Sequence, residues 1–252
     1  MLDILKILFC IPFLFYSCYS DIRTRRVSND LWLIMLFGSS FFVLYDISVY
    51  RTSYLLHLIF SAGFTFGFVY ILFQLGTFGG ADAKSLIVLS IILPAYPDIN
   101  VLGSIFPLNR PLIDLFAFGV LGNAVLLTIT VPITLALYNL IKMHGSLEEP
   151  LFIFIGYKTK ISKLDSKKHI KLIQDIENNE KGIRFIFKRG GRELDEGIIQ
   201  ELKGLAKKGL IGDYIWVTPG LPFMIPITLG FFVAVFYGDM ITELTKFLLY
   251  SN

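Results

Sequence analysis

The chain has 252 residues, of which 54% are hydrophobic, 15% aromatic and only 17% Asp, Glu, Lys or Arg. Its mean hydropathy of +0.66 excludes a single soluble core, because a folded surface needs polar cover. It also excludes a disordered chain, which would be charged and poor in aromatics. The net charge of +3, with no basic stripe between stacking aromatics, gives no reason to expect nucleic acid as a partner. The composition points to a protein embedded in a lipid bilayer.

A helix needs roughly 17–25 mostly apolar residues to cross a bilayer. Apolar runs at 2–20, 29–46, 54–75, 84–102, 115–141 and 219–238 are the six expected spans. The first ends in Ser20-Asp21-Ile22-Arg23 without a small-x-small cleavage site, so it reads as a retained helix. The second is the shortest. The fourth contains Pro94 and Pro97, which predict a kink or an early exit. The tail 239–252 is expected to extend the sixth span or to lie at the interface.

Charge is concentrated elsewhere. The 75 residues 142–216 hold 15 Lys/Arg and 11 Asp/Glu, well over half of the chain's charges. They are expected to form a small polar α+β domain inserted before the last span, giving domains 1–141, 142–216 and 217–252. Within it, Leu151–Ile155 is a short apolar run, and Ile183, Phe185 and Phe187 alternate as in a strand. Residues 167–178 and 193–208 have helical spacing, through Ile170, Ile173 and Ile176 in one and Leu194, Ile198, Leu202 and Leu205 in the other. Gly190-Gly191 reads as a turn between strand and helix, and Tyr214 to Val217 as a last strand. The fold class expected is an all-α polytopic membrane protein of six transmembrane helices carrying this small domain.

Successive connections carry 3, 1 and 15 positive charges on one side of the membrane and 1 and 1 on the other. Positive charge stays inside, so 21–28, 74–83 and 142–216 are expected in the cytoplasm and both termini outside. The cysteines Cys10 and Cys18 and the histidines His57, His144 and His169 fall into no metal-binding spacing. No metal or cofactor is expected.

Ionisable groups at membrane depth are functional candidates. Asp3, Asp30, Asp46, Asp98, Asp114 and Asp239 sit near expected span ends and read as solvated boundary residues or caps. Asp21 differs, because it falls at the carboxyl end of the first span, where the helix dipole disfavours an anion. Asp82 follows Gly76, Gly79, Gly80 and Ala81, and taken alone it reads as an N-cap for the fourth span. The expected topology puts both at the inner ends of their spans. Two carboxyls converging in a poorly solvated site would share one proton. One could then take a proton from water while the other protonates a carbonyl oxygen, which is peptide hydrolysis by general acid–base chemistry. The glycines would let an extended substrate approach the backbone.

Gly79-Gly80-Ala81-Asp82-Ala83-Lys84 resembles the Gly-x-Gly-Asp motif of intramembrane aspartyl proteases. Ser20-Asp21-Ile22-Arg23 through Val27-Ser28-Asn29 resembles the other aspartate motif of the type IV prepilin peptidase group. Six spans, a polar domain before the last of them and the stretch Thr218-Pro219-Gly220-Leu221-Pro222-Phe223 are most similar to its archaeal preflagellin peptidases. Ala81 stands where the motif has its second glycine, and Ser28 where many relatives have proline.

The resemblance implies a membrane aspartyl endopeptidase with Asp21 and Asp82 catalytic. Gly79, Gly80, Ala81 and Lys84 would form the active-site loop. The substrate would be a preflagellin or pilin-like precursor, cut at the cytoplasmic face between its short basic leader and its apolar helix. The bacterial members' four-cysteine zinc loop is missing, so methylation of the new amino terminus is not expected. Glu148 and Glu149 are candidates for attracting the basic leader. Three alternatives stand beside this reading. They are a peptidase for adhesion or sugar-binding pilin precursors, a small transporter using Asp21 and Asp82 as ion ligands, and a Ser/Lys peptidase. The last would use Ser85 and Lys84, which as helix neighbours face apart.

Overall fold

The structure, a computed structural model, describes residues 2–101, 103–109, 111–142, 150–167, 169–179 and 182–250. Arg110, His144, Glu148 and Glu149 lie outside the described residues. The chain divides into two compact units, residues 1–128 with 222–252, and residues 129–221.

The first unit is helical. Helix α1 spans Leu2–Thr24, about 35 Å at 1.5 Å per residue and so enough for a hydrocarbon core of about 30 Å. The second and third expected spans form one element, α2, Asn29–Gln74. Its backbone leaves helical geometry at Arg51, with φ 50° and ψ −128°. A straight helix of 46 residues would be about 69 Å long. Yet Lys84, only ten positions beyond the end of α2, hydrogen-bonds through Nζ to Oδ1 of Asn29 at its start. The two legs therefore fold back on one another at Arg51.

The fourth apolar run gives α3, Gly80–Ile92, which stops short as Pro94 dictates. The residue before a proline is forced out of helical geometry, and Leu93 has φ −127° and ψ 80°. The rest of the expected span is not helix. It leads into a small hairpin of β1, Ile99–Val101, and β2, Ser104–Phe106.

The fifth run is interrupted at Ile129 into α4, Phe116–Thr128, and α5, Thr130–Lys142; α5 belongs to the second unit. That unit continues with the single-turn α6, Phe152–Ile155, strand β3, Tyr157–Lys160, and a 3-10 turn, Ile161–Ser166. Strands β4, Ile170–Asn179, and β5, Gly182–Glu193, precede helix α7, Glu196–Lys207, and strand β6, Tyr214–Pro219. The four longer strands form an antiparallel sheet in the order β3-β6-β4-β5. Helices α8, Met224–Phe236, and α9, Met240–Tyr250, return the chain to the first unit and meet at a bend of 68°.

Among the described residues, three elements are long and apolar enough to cross a membrane: α1, α2 and α4 with α5. The bent pair α8–α9 is a fourth if counted as one span. The molecule is thus a mostly helical membrane protein with a small sheet-containing domain.

Its helical core is centred where α4 meets α8. Gly230 brings the backbones together, since a Cβ there would stand 2.5 Å from the Val120 carbonyl oxygen. Small residues allow such approach in apolar bundles. Beside it the Phe116 and Phe231 rings meet edge to face at 5.5 Å. Buried Asn123 fixes the α8–α9 bend by donating to the Gly238 carbonyl (2.8 Å) and accepting from the Met240 amide (2.9 Å). Asp239 caps α9 as expected, accepting from the Ile241 amide at 2.9 Å.

Two readings of the polar domain are corrected. Residues 167–178, expected to be helical, run largely in β4. Ile170 and Leu172 pack in the cluster with Ile198 and Leu202 of α7, whereas Ile173 packs with Phe152, Ile153 and Trp216. A strand covered on both faces loses the alternation that marks a strand, and its isoleucines then mimic a helical period. Gly190-Gly191 is no turn but part of β5. The pairing jumps from Leu172–Arg192 to Gln174–Phe187, so four residues bulge out, and Gly191 takes the positive φ (72°) that the bulge requires.

Candidate active site

Asp21 lies in the last turn of α1 and Asp82 in the first turn of α3. Asp82 is the third residue of its helix, not the N-cap, a place that Gly79 takes. Its Oδ2 accepts a hydrogen bond from the Gly79 amide at 3.1 Å, so the carboxyl is held against the start of its own helix and is 8% exposed. Asp21, half-buried, meets a different helix. Its Oδ2 accepts from the Met224 amide at 3.3 Å, the first residue of α8. The free amides at a helix start favour an anion, which offsets the unfavourable position of Asp21 at the end of α1.

Phe78 precedes Gly79 and Phe223 precedes Met224, and these two rings pack edge to face with centroids 5.0 Å apart. Cys18, one turn before Asp21, fastens α1 to α8 through Sγ contacts with the Met224 carbonyl (3.2 Å) and the Thr228 hydroxyl (3.0 Å). The Lys84–Asn29 hydrogen bond ties the start of α3 to the start of α2, and so joins the segments that follow the two aspartates.

Residues 8–127, which include both aspartates, match the sequence model of the type IV leader peptidase family. Residues 148–240 match that of the archaeal peptidase A24 C-terminus, type II. The chain belongs to the type IV leader peptidase family. It is 27% identical over 226 residues to the preflagellin peptidase of Methanocaldococcus jannaschii, covering 88% of each chain. It is 27% identical over 239 residues to that of Methanococcus maripaludis, covering 91% of this chain and 94% of the relative. Against that of Methanococcus voltae it is 28% identical over 245 residues, covering 92% and 94%. The enzyme is a peptidase.

The loop glycines of this leader peptidase are not equivalent. A Cβ on Gly79 would stand 2.8 Å from Oδ2 of Asp82, whereas on Gly80 the nearest atom would be Phe73 Cε2 at 3.9 Å. Gly79→Ala must therefore move the Asp82 carboxyl, and Gly80→Ala need not. A displacement of about 1 Å at a reacting group can cost on the order of 100-fold. Gly79→Ala is expected to lower precursor cleavage by about 10- to 100-fold and Gly80→Ala by little, as measured from initial rates in reconstituted membranes. Equal losses in the two variants would contradict this geometry.

Sequence reasoning singled out both aspartates as candidates but did not foresee the Met224 amide that holds one of them. The only available signal was the Pro222-Phe223 start of the last apolar run. It also missed the buried partner of Lys6. Asp46, read as a solvated boundary residue, is 4% exposed and paired with the Lys6 ammonium, which is 2% exposed.

Proposed function

We propose that the enzyme is an aspartic endopeptidase that removes the short basic leader from preflagellin or a similar pilin-like precursor, using Asp21 and Asp82 as its catalytic pair. The observation that carries this is the pair of carboxyls held by the Met224 and Gly79 amides at the contact of Phe78 with Phe223. The names of the relatives support the substrate class.

The ionised carboxylate removes a proton from water, and the hydroxide so formed bonds to the scissile carbonyl carbon. The protonated carboxyl gives its proton to the carbonyl oxygen. The tetrahedral intermediate then collapses: the carboxylate that gave its proton takes one back from a hydroxyl, the C–N bond breaks, and the leaving nitrogen takes the proton first drawn from water. Asp21, with its carboxylate on the α8 amide, suits the basic role, and Asp82, buried, suits the acidic one. Gly79, Gly80 and Ala81 leave the backbone open to an extended substrate, and Lys84 fastens the loop to Asn29.

The chain crosses the membrane six times in this reading, through α1, the two legs of α2, α3 with the residues that follow it to 101, α4 with α5, and α8 with α9. The aspartates lie at the cytoplasmic face and both termini outside, as the 3, 1, 15 against 1, 1 distribution of positive charge favours.

The test is to incubate membranes containing the enzyme with a preflagellin and to sequence the product's new amino terminus. One cut between the basic leader and the apolar helix is expected, and an intact precursor would overturn the reading.

A further inference from the structure

The second unit carries an apolar surface that the peptidase reading does not use. Buried Asn139, in the last part of α5, spends both amide hydrogens on α6, donating to the Ile153 carbonyl at 2.8 Å and the Gly156 carbonyl at 2.6 Å. The single turn α6 is therefore fixed against the end of a helix that itself belongs to a membrane-crossing segment. Phe152 of α6 stacks on Phe187 of β5 at 5.6 Å and meets Trp216 edge to face at 5.7 Å. Around this stack Leu151, Phe154, Ile155, Phe185 and Phe187 are exposed, Leu151 to 77%. Phe185 and Phe187 lie on one face of β5 because side chains repeat every two residues.

Amphipathic side chains mark a level beside this surface. The Tyr138 ring at the end of α5 packs on Tyr157, with centroids 6.2 Å apart. Lys142 and Lys167 lie over those two rings at 4.7 and 4.3 Å. Tyrosines and lysines of this kind gather where the bilayer meets water. The unit also holds 15 Lys/Arg against 11 Asp/Glu, which complements an anionic headgroup layer.

We propose that Leu151, Phe154, Ile155, Phe185 and Phe187 form a membrane-seated foot, inserted at the boundary of headgroups and acyl chains, and that the occupant of this surface is lipid. The foot holds the sheet-containing unit at the bilayer surface beside the end of α5. This goes beyond the peptidase reading and does not depend on it.

The full chain, with Cys10 and Cys18 replaced by serine, would carry a nitroxide at Phe154→Cys, Phe185→Cys or Leu210→Cys. The last is an exposed position (57%) three residues beyond the end of α7. In vesicles of phosphatidylcholine and phosphatidylglycerol, labels at 154 and 185 should favour collision with oxygen over a water-soluble nickel chelate several-fold more than the label at 210. All three labels reporting an aqueous setting would overturn the proposal. So would broadening between labelled chains at 154 and 185, which would make the surface a contact between two copies. The unmodified chain supplies a second measurement that needs no variant. A lipid with a photoreactive acyl chain should label peptides covering 151–155 and 185–187 and spare those covering 203–210. Loss of that difference would also sink the proposal.

Discussion

Asp21→Asn and Asp82→Asn are each expected to abolish precursor cleavage while leaving the protein folded and inserted. General acid–base catalysis contributes about 10²–10⁴-fold, and neither half operates alone when one shared proton must pass between two groups. Each single variant should therefore lose at least that factor, and the double variant should be hardly worse, because groups that act as a unit are not additive. The structural cost is small. An asparagine side-chain oxygen can still accept from the Met224 amide at position 21 and from the Gly79 amide at position 82. Melting temperature and elution volume in detergent should stay close to wild type. Activity retained in either variant would defeat the pair assignment, and loss of folding in both would shift the weight to the Gly79→Ala test.

The candidate residues stand out in the sequence more clearly than the architecture that positions them. Asp21 and Asp82 stand out because a carboxylate at the end of an apolar run is costly and their neighbours are distinctive. Pro94 announces the end of α3 because a missing amide and a fixed ring act locally. The α7 helix, with Ile198 and Leu202 buried on one face, and β6, whose expected Tyr214–Val217 became Tyr214–Pro219, were readable from periodicity.

What escaped was non-local or stripped of pattern. The amide that holds Asp21 comes from Met224, 203 positions away, and a backbone N–H leaves no mark in composition. The strand β4 is covered on both faces, so its hydrophobic spacing no longer distinguishes strand from helix. The two legs of α2 were separable by hydropathy, but nothing about Arg51 identifies it as the point where the backbone reverses. Asp46 was set aside because it lies near the end of a run. That argument holds only if water reaches it, and the Lys6 ammonium of α1 sits against the carboxylate instead.

The Lys6–Asp46 pair gives the largest expected effect on stability. Lys6 is 2% and Asp46 4% exposed. The ammonium binds the Asp46 carboxylate, has Asp3 at 3.8 Å, and lies 5.5 Å from the centre of the Tyr54 ring. Removing one partner strands the other charge in a poorly solvated place, and such changes cost about 3–5 kcal/mol. Lys6→Met, which leaves the carboxylate, and Asp46→Asn, which leaves the ammonium, should each lower stability by about that amount in denaturant titrations of the detergent-solubilised protein. A cavity of ≈ 220 Å³ lined by Asp3, Tyr50, Tyr54 and Tyr96 adjoins the pair. Water admitted there would pull both values toward the lower end of the range. The combined change Lys6→Met with Asp46→Leu removes both charges and fills the site with apolar atoms, so most of the loss should be recovered. Lys6 and Asp21 sit on the same helix about 22 Å apart, so cleavage well below the melting transition should stay near wild type in all three variants. Single variants as stable as wild type would show that the pair is solvated. A double variant no better than the singles would show that the site needs its charges and not its packing.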